Sequence, residues 1–358
     1  MTGFPGFLGA RLLPRVLRRS PGVTATCIVQ ERFAGIAGRR VDELIAADPS
    51  LIGRIELVEG DISRPGLGLA DPGAIAGDTV AIWHLAAVYD LAVARLVATR
   101  VNVEGTRNVL RLAETCPRLE RLHYVSTCYV SGRHCGSFGE DDLDVGQPFN
   151  NHYEETKFLA EVDVAKARAG GLPTTVYRPA IVVGDSRTGE TQKFDGPYFL
   201  VQWLLRQRPS LTLVPAIGDP TMTRFNMVPS DYVIDGIDHL AALDGSAGRT
   251  YQLADPEPLT VAELLDELCR ATDRRGVRVP LPRRLTTAAL DRVGPLQRFV
   301  GIPAAAVTYF AHPTHYDTTN ARRDLAGSGV ACPPVPAYLA NLVEFMRTHA
   351  DADVGVMV

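Results

Sequence analysis

Short apolar runs that alternate with helical patterns constrain this chain more than any other feature. In its first half, the runs at 23–30 (VTATCIVQ), 55–61 (IELVEGD), 79–88 (TVAIWHLAAV), 121–130 (RLHYVSTCYV) and 174–184 (TTVYRPAIVVG) are rich in β-branched and aromatic residues. Amphipathic stretches follow at 8–19, 37–47, 102–114 and 151–169. Strands separated by helices of about ten or more residues form βαβ units and a parallel sheet. Runs that are apolar almost throughout suit burial on both faces. The expected fold class is α/β, a doubly wound parallel Rossmann-type sheet.

The texture changes after Gly184. Residues 185–197 are polar and rich in turn formers, and an apolar helix is expected at 199–207. Segments 225–243 and 249–255 look like a return to the sheet. From Pro256 onward, an amphipathic helix at 261–273 leads into segments rich in proline and arginine. The expected plan is a dinucleotide-binding domain at 1–184 and 226–255, with a smaller C-terminal substrate lobe at 185–225 and 256–358. There is no internal repeat.

With 358 residues, 46% of them hydrophobic, the chain can build one large core or two moderate ones. Net charge −4 and a pI near 6.1 argue against a nucleic-acid partner. No apolar run reaches the roughly 18 residues of a transmembrane helix. The six cysteines make no CxxC pair and the histidines have no metal-ligand spacing, so we expect reduced thiols, a cytoplasmic compartment and no metal. The acid-free first thirty residues include Arg11, Arg15, Arg18 and Arg19, a composition shared with organelle transit peptides. A basic surface helix after a turn accounts for it better.

Three elements carry chemistry. The chain opens MTGFPGFLGARLL, placing Gly3, Gly6 and Gly9 in a TGxxGxxG turn that runs into a helix. Glycines let backbone amides approach a pyrophosphate, and the helix presents its positive end. Tyr153 and Lys157 stand four apart in NHYEETK, on one helical face. Such a pair is rare by chance in a chain with 11 tyrosines and three lysines. An ammonium there is expected to lower the phenol from its usual value of about 10, making it a usable proton donor. Ser126 and Thr127 close the run at 121–125, at the carboxyl end of a parallel strand where such sheets place their sites.

In this order and at these separations, the three elements resemble the extended short-chain dehydrogenase/reductase family, over about residues 2–255. The resemblance implies a catalytic set of Thr127, Tyr153 and Lys157. It implies that Gly3, Gly6, Phe7 and Leu8 hold the dinucleotide, with Asp61 and Ile62 near the adenine. Leu85, Ala86 and Ala87 of HLAAV would line the cofactor, and Pro179 and Ile181 of YRPAIVVG would lie beside the nicotinamide. TGFPGFLG, EGDISRPGLGL, VNVEGTRNVL, YVSTCYV and NMVPSDYV with Asp231 are similar to the fatty acyl-CoA reductase and thioester reductase branch, the male-sterility-type NAD-binding proteins.

The cofactor is left open between NADP and NAD, with NADP favoured. The branch usually carries an arginine where this chain has Gln30, followed by Glu31 and Arg32. Arg39 and Arg40 lie where a second phosphate-binding arginine often sits. The activity implied is NAD(P)H-dependent reduction of an acyl thioester, CoA- or carrier-bound, to aldehyde or alcohol, with the helix at 199–207 able to line an acyl channel. The alternatives are a nucleotide-sugar epimerase, a hydroxysteroid-type dehydrogenase, or a catalytically impaired cofactor-binding paralogue. Cys128 and Tyr129 follow Thr127, where 4,6-dehydratases carry Asp-Glu. Only Met1 precedes the glycine turn, so the first, central β-strand is expected to be missing. An upstream start adding about six to eight residues or a damaged copy would explain it, and the intact downstream elements favour the first. Oligomeric state is not legible.

Overall fold

The computed structural model describes residues 1–90, 93–217, 219–281 and 312–349. The portions of the expected substrate lobe at 282–311 and 350–358 lie outside the described residues. In the first half the elements are α1 (Phe7–Arg19), β1 (Ala25–Val29), α2 (Ala34–Ala47), β2 (Ile55–Glu59), α3 (Pro72–Ala76), β3 (Ala81–His84), α4 (Arg95–Ala98), α5 (Gly105–Glu114) and β4 (Arg121–Val125). They continue with β5 (Gly136–Phe138), α6 (His152–Ala169), β6 (Thr174–Pro179), β7 (Ile181–Val183), α7 (Tyr198–Leu205), β8 (Thr212–Ile217), β9 (Met227–Pro229) and α8 (Ser230–Ala241). The last are β10 (Thr250–Leu253), α9 (Val261–Ala271), β11 (Gly276–Leu281), β12 (Thr314–Tyr316), α10 (Thr319–Leu325) and α11 (Val335–Thr348).

The main sheet is parallel. β2 pairs with β1, and β3, β4, β6 and β10 run side by side in that order. Thr2 stands between the two sets, bridging in parallel to Ile28 of β1 and to His84 at the end of β3. Its N–H donates to the Trp83 carbonyl at 2.9 Å, and the Ile28 N–H donates to the Met1 carbonyl at 2.9 Å. The central position of the sheet is therefore occupied at its carboxyl end by Met1–Thr2. These bonds anchor the glycine turn. All residues of β6 and β10 are buried, as strands covered on both faces must be, whereas β1 and β2 are only partly buried.

Helices cover both faces. α5 and α6 pack through Val109, Ala113, Ala160 and Val164 onto Leu122, Tyr124 and Val176. On the other face, Leu12 of α1 joins Val233 and Ile237 of α8 over Tyr177 and Tyr251. A separate core unites α7, α9 and α11 around Val214, Phe225 and Met227, with Tyr129 reaching in from the loop after β4. The stretch 312–325 packs on the sheet instead: β12 pairs with β5, and Tyr316, Ala321 and Leu325 join Tyr177 and Tyr251. Glu140 pins it there, accepting from the backbone N–H groups of Gln252 (2.8 Å), Ala321 (3.1 Å) and Asn320.

Candidate active site

The glycine turn is shaped by close approach. Gly3 has φ +87°, and a Cβ there would lie 2.8 Å from the backbone of Leu85 and Ala86. A Cβ on Gly9 would meet the Gly3 carbonyl at 2.5 Å, so α1 lies directly on the turn. The Gly6 N–H donates to the Gly3 carbonyl at 2.9 Å, and Phe7 and Leu8 open α1. No side chain caps this helix and no acid lies in its first turn. Its positive end is thus available to an anion, which fits a dinucleotide pyrophosphate.

The turn is tied to HLAAV by its one hydroxyl. Leu85 N–H donates to the Thr2 carbonyl (3.3 Å) and Ala86 N–H to the Thr2 hydroxyl (3.3 Å). The Thr106 hydroxyl donates to the Asn102 carbonyl at 2.6 Å, so it accepts from His84 Nε2 at 3.0 Å. His84 Nδ1 then accepts from the Thr2 hydroxyl at 2.7 Å. This pattern needs a neutral imidazole, and burial together with the Lys157 ammonium pushes His84 down to about 3.

Residues expected near the adenosine form a second group. Burial opposes ionisation of Asp61, but hydrogen bonds from Ser63 and Gln30 leave its carboxyl below the usual range. Arg32 donates to Gln30 Oε1 at 2.8 Å and lies over the Phe33 ring. Asp61, Gln30 and Arg32 are therefore connected. Arg40 pairs with Glu43 at 2.8 Å and repels Arg11, which pairs with Glu190 at 2.9 Å and stacks on Phe7. Ile62 is buried against Gly105, where a Cβ would come within 2.8 Å of it. Ala87 follows this group in the chain, and Ile181 donates its N–H to the Asn226 carbonyl at 3.3 Å.

At the carboxyl end of β4, Thr127 is buried. Its hydroxyl faces the Pro179 carbonyl (3.5 Å), accepts from the Tyr129 N–H (3.2 Å) and hydrogen-bonds Tyr153. Asn151 caps α6 by accepting from the Glu154 N–H at 3.0 Å, and this helix delivers Tyr153 and Lys157 from one face. Burial pushes the Tyr153 phenol up to about 12, only partly offset by Thr127. Lys157 does not lower it, contrary to the expectation from spacing. Instead the buried Lys157 ammonium donates to Tyr124 Oη and to the Val125 carbonyl, each at 2.9 Å. Burial draws Lys157 down to about 7 despite the nearby Glu161 carboxylate.

Sequence reasoning missed what lies under this set. Glu161, a further turn along the Tyr153–Lys157 face, forms a buried pair with Arg178 at 2.6 Å and accepts from the Ser126 hydroxyl. Arg178 also donates to the Asp142 carbonyl at 2.8 Å. The 153–157–161 spacing was the available signal for Glu161. Nothing comparable marked Tyr124.

A family model described as male sterility protein, of the NAD-binding type, matches residues 1–237. The chain belongs to that family. This places it in the thioester reductase branch of the extended short-chain dehydrogenase/reductases, and gives it an NAD-type dinucleotide as the family's ligand. A linear gramicidin synthase of Brevibacillus parabrevis is 30% identical over 77% of this chain, but only 5% of that protein is matched. Nonribosomal peptide synthetase asaC of Aspergillus flavus is 28% identical over 92% of this chain and 34% of its own length. The chain thus spans about a third or less of these curated relatives. The crystal structure of the terminal R domain from the myxalamid PKS-NRPS biosynthetic pathway superposes with TM-score 0.82 at 26% identity, over 98% of this chain and 90% of that one. Among the described residues, no helix is long and apolar enough to cross a membrane, and no group of histidine, cysteine and acidic residues could hold a metal.

Proposed function

We propose that this chain is an NADPH-dependent reductase acting on acyl thioesters, CoA- or carrier-bound, and yielding an aldehyde or alcohol. The carrying observation is the placement of Thr127, Tyr153 and Lys157 together at the carboxyl end of β4. In this reading Gly3, Gly6, Phe7 and Leu8 hold the pyrophosphate, and Arg32 and Arg40 attract the 2′-phosphate. Asp61 and Ile62 flank the adenine, while Leu85, Ala86, Ala87, Pro179 and Ile181 line the nicotinamide half. The dinucleotide supplies a hydride when bound. Thr127 and Tyr153 hydrogen-bond the thioester carbonyl oxygen, holding it as negative charge develops. Tyr153, protonated at neutral pH, gives its proton to that oxygen; the C–S bond of the resulting hemithioacetal then breaks, the hydroxyl proton passes to the departing sulfur, and aldehyde and thiol are released. Lys157 holds the ribose.

The core of α7, α9 and α11 supports reading residues 185–225, 256–281 and 326–349 as parts of the substrate lobe. Segment 312–325 goes with the dinucleotide-binding part. The six cysteines, all free thiols, fit a cytoplasmic setting.

Titration with NADPH and NADH, followed by nicotinamide fluorescence, tests the cofactor. The expected result is tighter NADPH binding that Arg32→Ala reduces by about tenfold, one charge-assisted phosphate contact. NADPH oxidation with an acyl-CoA or an acyl phosphopantetheine thioester, with aldehyde recovered, tests the reaction. Turnover of a UDP-sugar without acyl turnover would overturn it.

A further inference from the structure

The interior of the sheet beneath the catalytic set contains a directed line of hydrogen bonds. Thr106 commits its proton to the Asn102 carbonyl, and Ser126 commits its proton to Glu161. Both hydroxyls lie beside the Tyr124 phenol. With both of these protons spent elsewhere, the single Tyr124 O–H can be donated to one of the two hydroxyls. The Tyr124 oxygen accepts from Lys157 Nζ, 2.9 Å away. The same ammonium lies 4.4 Å from the centroid of the Tyr124 ring. Tyr124 is 1% exposed and Lys157 3%, so water does not compete for either.

We propose that Tyr124 is a positioning residue for Lys157: its hydroxyl and ring, with the Val125 carbonyl, fix the ammonium at the carboxyl end of β4 and hold it in its protonated form. The inference deepens the reductase reading, because a lysine so held keeps one N–H for the ribose. Titratable and charged groups reach this ammonium from each element around it. Glu161 comes from α6, His84 from β3 and Tyr124 from β4, and Arg178 of β6 engages Glu161. His84 stays neutral and Arg178 is spent on Glu161. Glu161 supports the charge, and Tyr124 is the side chain that accepts from it. Burial and the Glu161 carboxylate keep the Tyr124 phenol well above its ordinary range, so it accepts as a neutral hydroxyl.

The chain has only three lysines, Lys157, Lys166 and Lys193, so lysine side-chain NMR on ¹³Cε-labelled protein resolves the question without turnover. The Lys157 signal is assigned by its loss in Lys157→Met. In the unsubstituted protein its ε-methylene is expected to be shifted upfield by the Tyr124 ring and to show an Overhauser effect to the ring protons. Absence of that contact overturns the proposal whether or not any variant folds. In Tyr124→Phe, which keeps the ring and removes the oxygen, the Lys157 titration is expected to move down by about one pH unit, tenfold in its ionisation constant. An unchanged midpoint in the folded variant overturns the proposal, since a packing role alone would not move it. In the reductase assay, Tyr124→Phe is expected to raise KM for NADPH more than it lowers kcat. Its basic limb should also shift to lower pH. A wild-type protein that shows the NMR contact but reduces no thioester would refute the functional reading alone.

Discussion

Tyr153 is held as a phenol rather than poised as a phenolate. Its folded-state pKa of about 12 means that the proton is present across the neutral range. The titration that matters near pH 7 belongs to Lys157. Its ammonium is present below that pH and lost above it, so NADPH affinity is expected to weaken as pH rises from about 6 to 8. Fluorescence titrations at several pH values check this, and a flat or rising affinity would contradict it. Tyr153→Phe keeps the ring and removes the proton donor, so kcat should fall by about a hundredfold or more. Unaltered NADPH binding in that variant would separate loss of chemistry from loss of fold. Thr127→Val should lower kcat too, by about tenfold or more, because it removes one hydroxyl that steadies the carbonyl oxygen.

At the scale of elements, the Glu140 carboxyl joins α10 to the sheet, alongside the Asp324–Tyr251 hydrogen bond and the packing of Ala321 and Leu325. Glu140 takes N–H groups from the first turn of α10 and from β10, yet burial outweighs these donors and raises its pKa to about 7. A carboxyl whose folded pKa lies above its unfolded value contributes stability that is complete below the ordinary carboxylate range. That contribution is lost as pH climbs through about 7. Glu140→Ala, which orphans these buried N–H groups, should cost about 1–3 kcal/mol at pH 5 and less at pH 8. Urea unfolding at the two pH values measures both. A larger loss at pH 8 would mean that the carboxylate is the favoured form. α6 shows the opposite balance: Asn151 and the acids Glu154 and Glu155 start it, and Lys166 and Arg168 end it. Its orientation, and with it Tyr153 and Lys157, was therefore legible locally.

Across the whole molecule, the Glu161–Arg178 pair links α6, β6 and the loop at 139–142 beneath the site. Both side chains are almost fully buried, so removing one leaves the other as an uncompensated charge. Glu161→Ala or Arg178→Ala should each destabilise the fold by about 3–5 kcal/mol. The double replacement should cost clearly less than the two together. Additive losses in a denaturant-based double-mutant cycle would show that the pair is not coupled. The salt bridge from Arg11 to Glu190 is partly exposed, with side chains 22% and 54% accessible, and should contribute no more than about 1 kcal/mol.

Periodicity by itself determined the parallel sheet, because strands buried on both faces must be apolar throughout and a parallel return needs a helix. Spacing determined that Tyr153 and Lys157 share a face, and the glycines at 3, 6 and 9 identified a turn that only small residues can enter. What the sequence could not reveal were relations between residues far apart in the chain. Met1–Thr2 completes the carboxyl end of the central position through backbone bonds to β1 and β3. Lys157 spends its ammonium on Tyr124 and Val125 rather than on the phenol four residues away. Segment 312–325 returns to the sheet. Each depends on burial, which sets both the protonation state of a side chain and the partner it must find, and burial is a property of the packed tertiary structure.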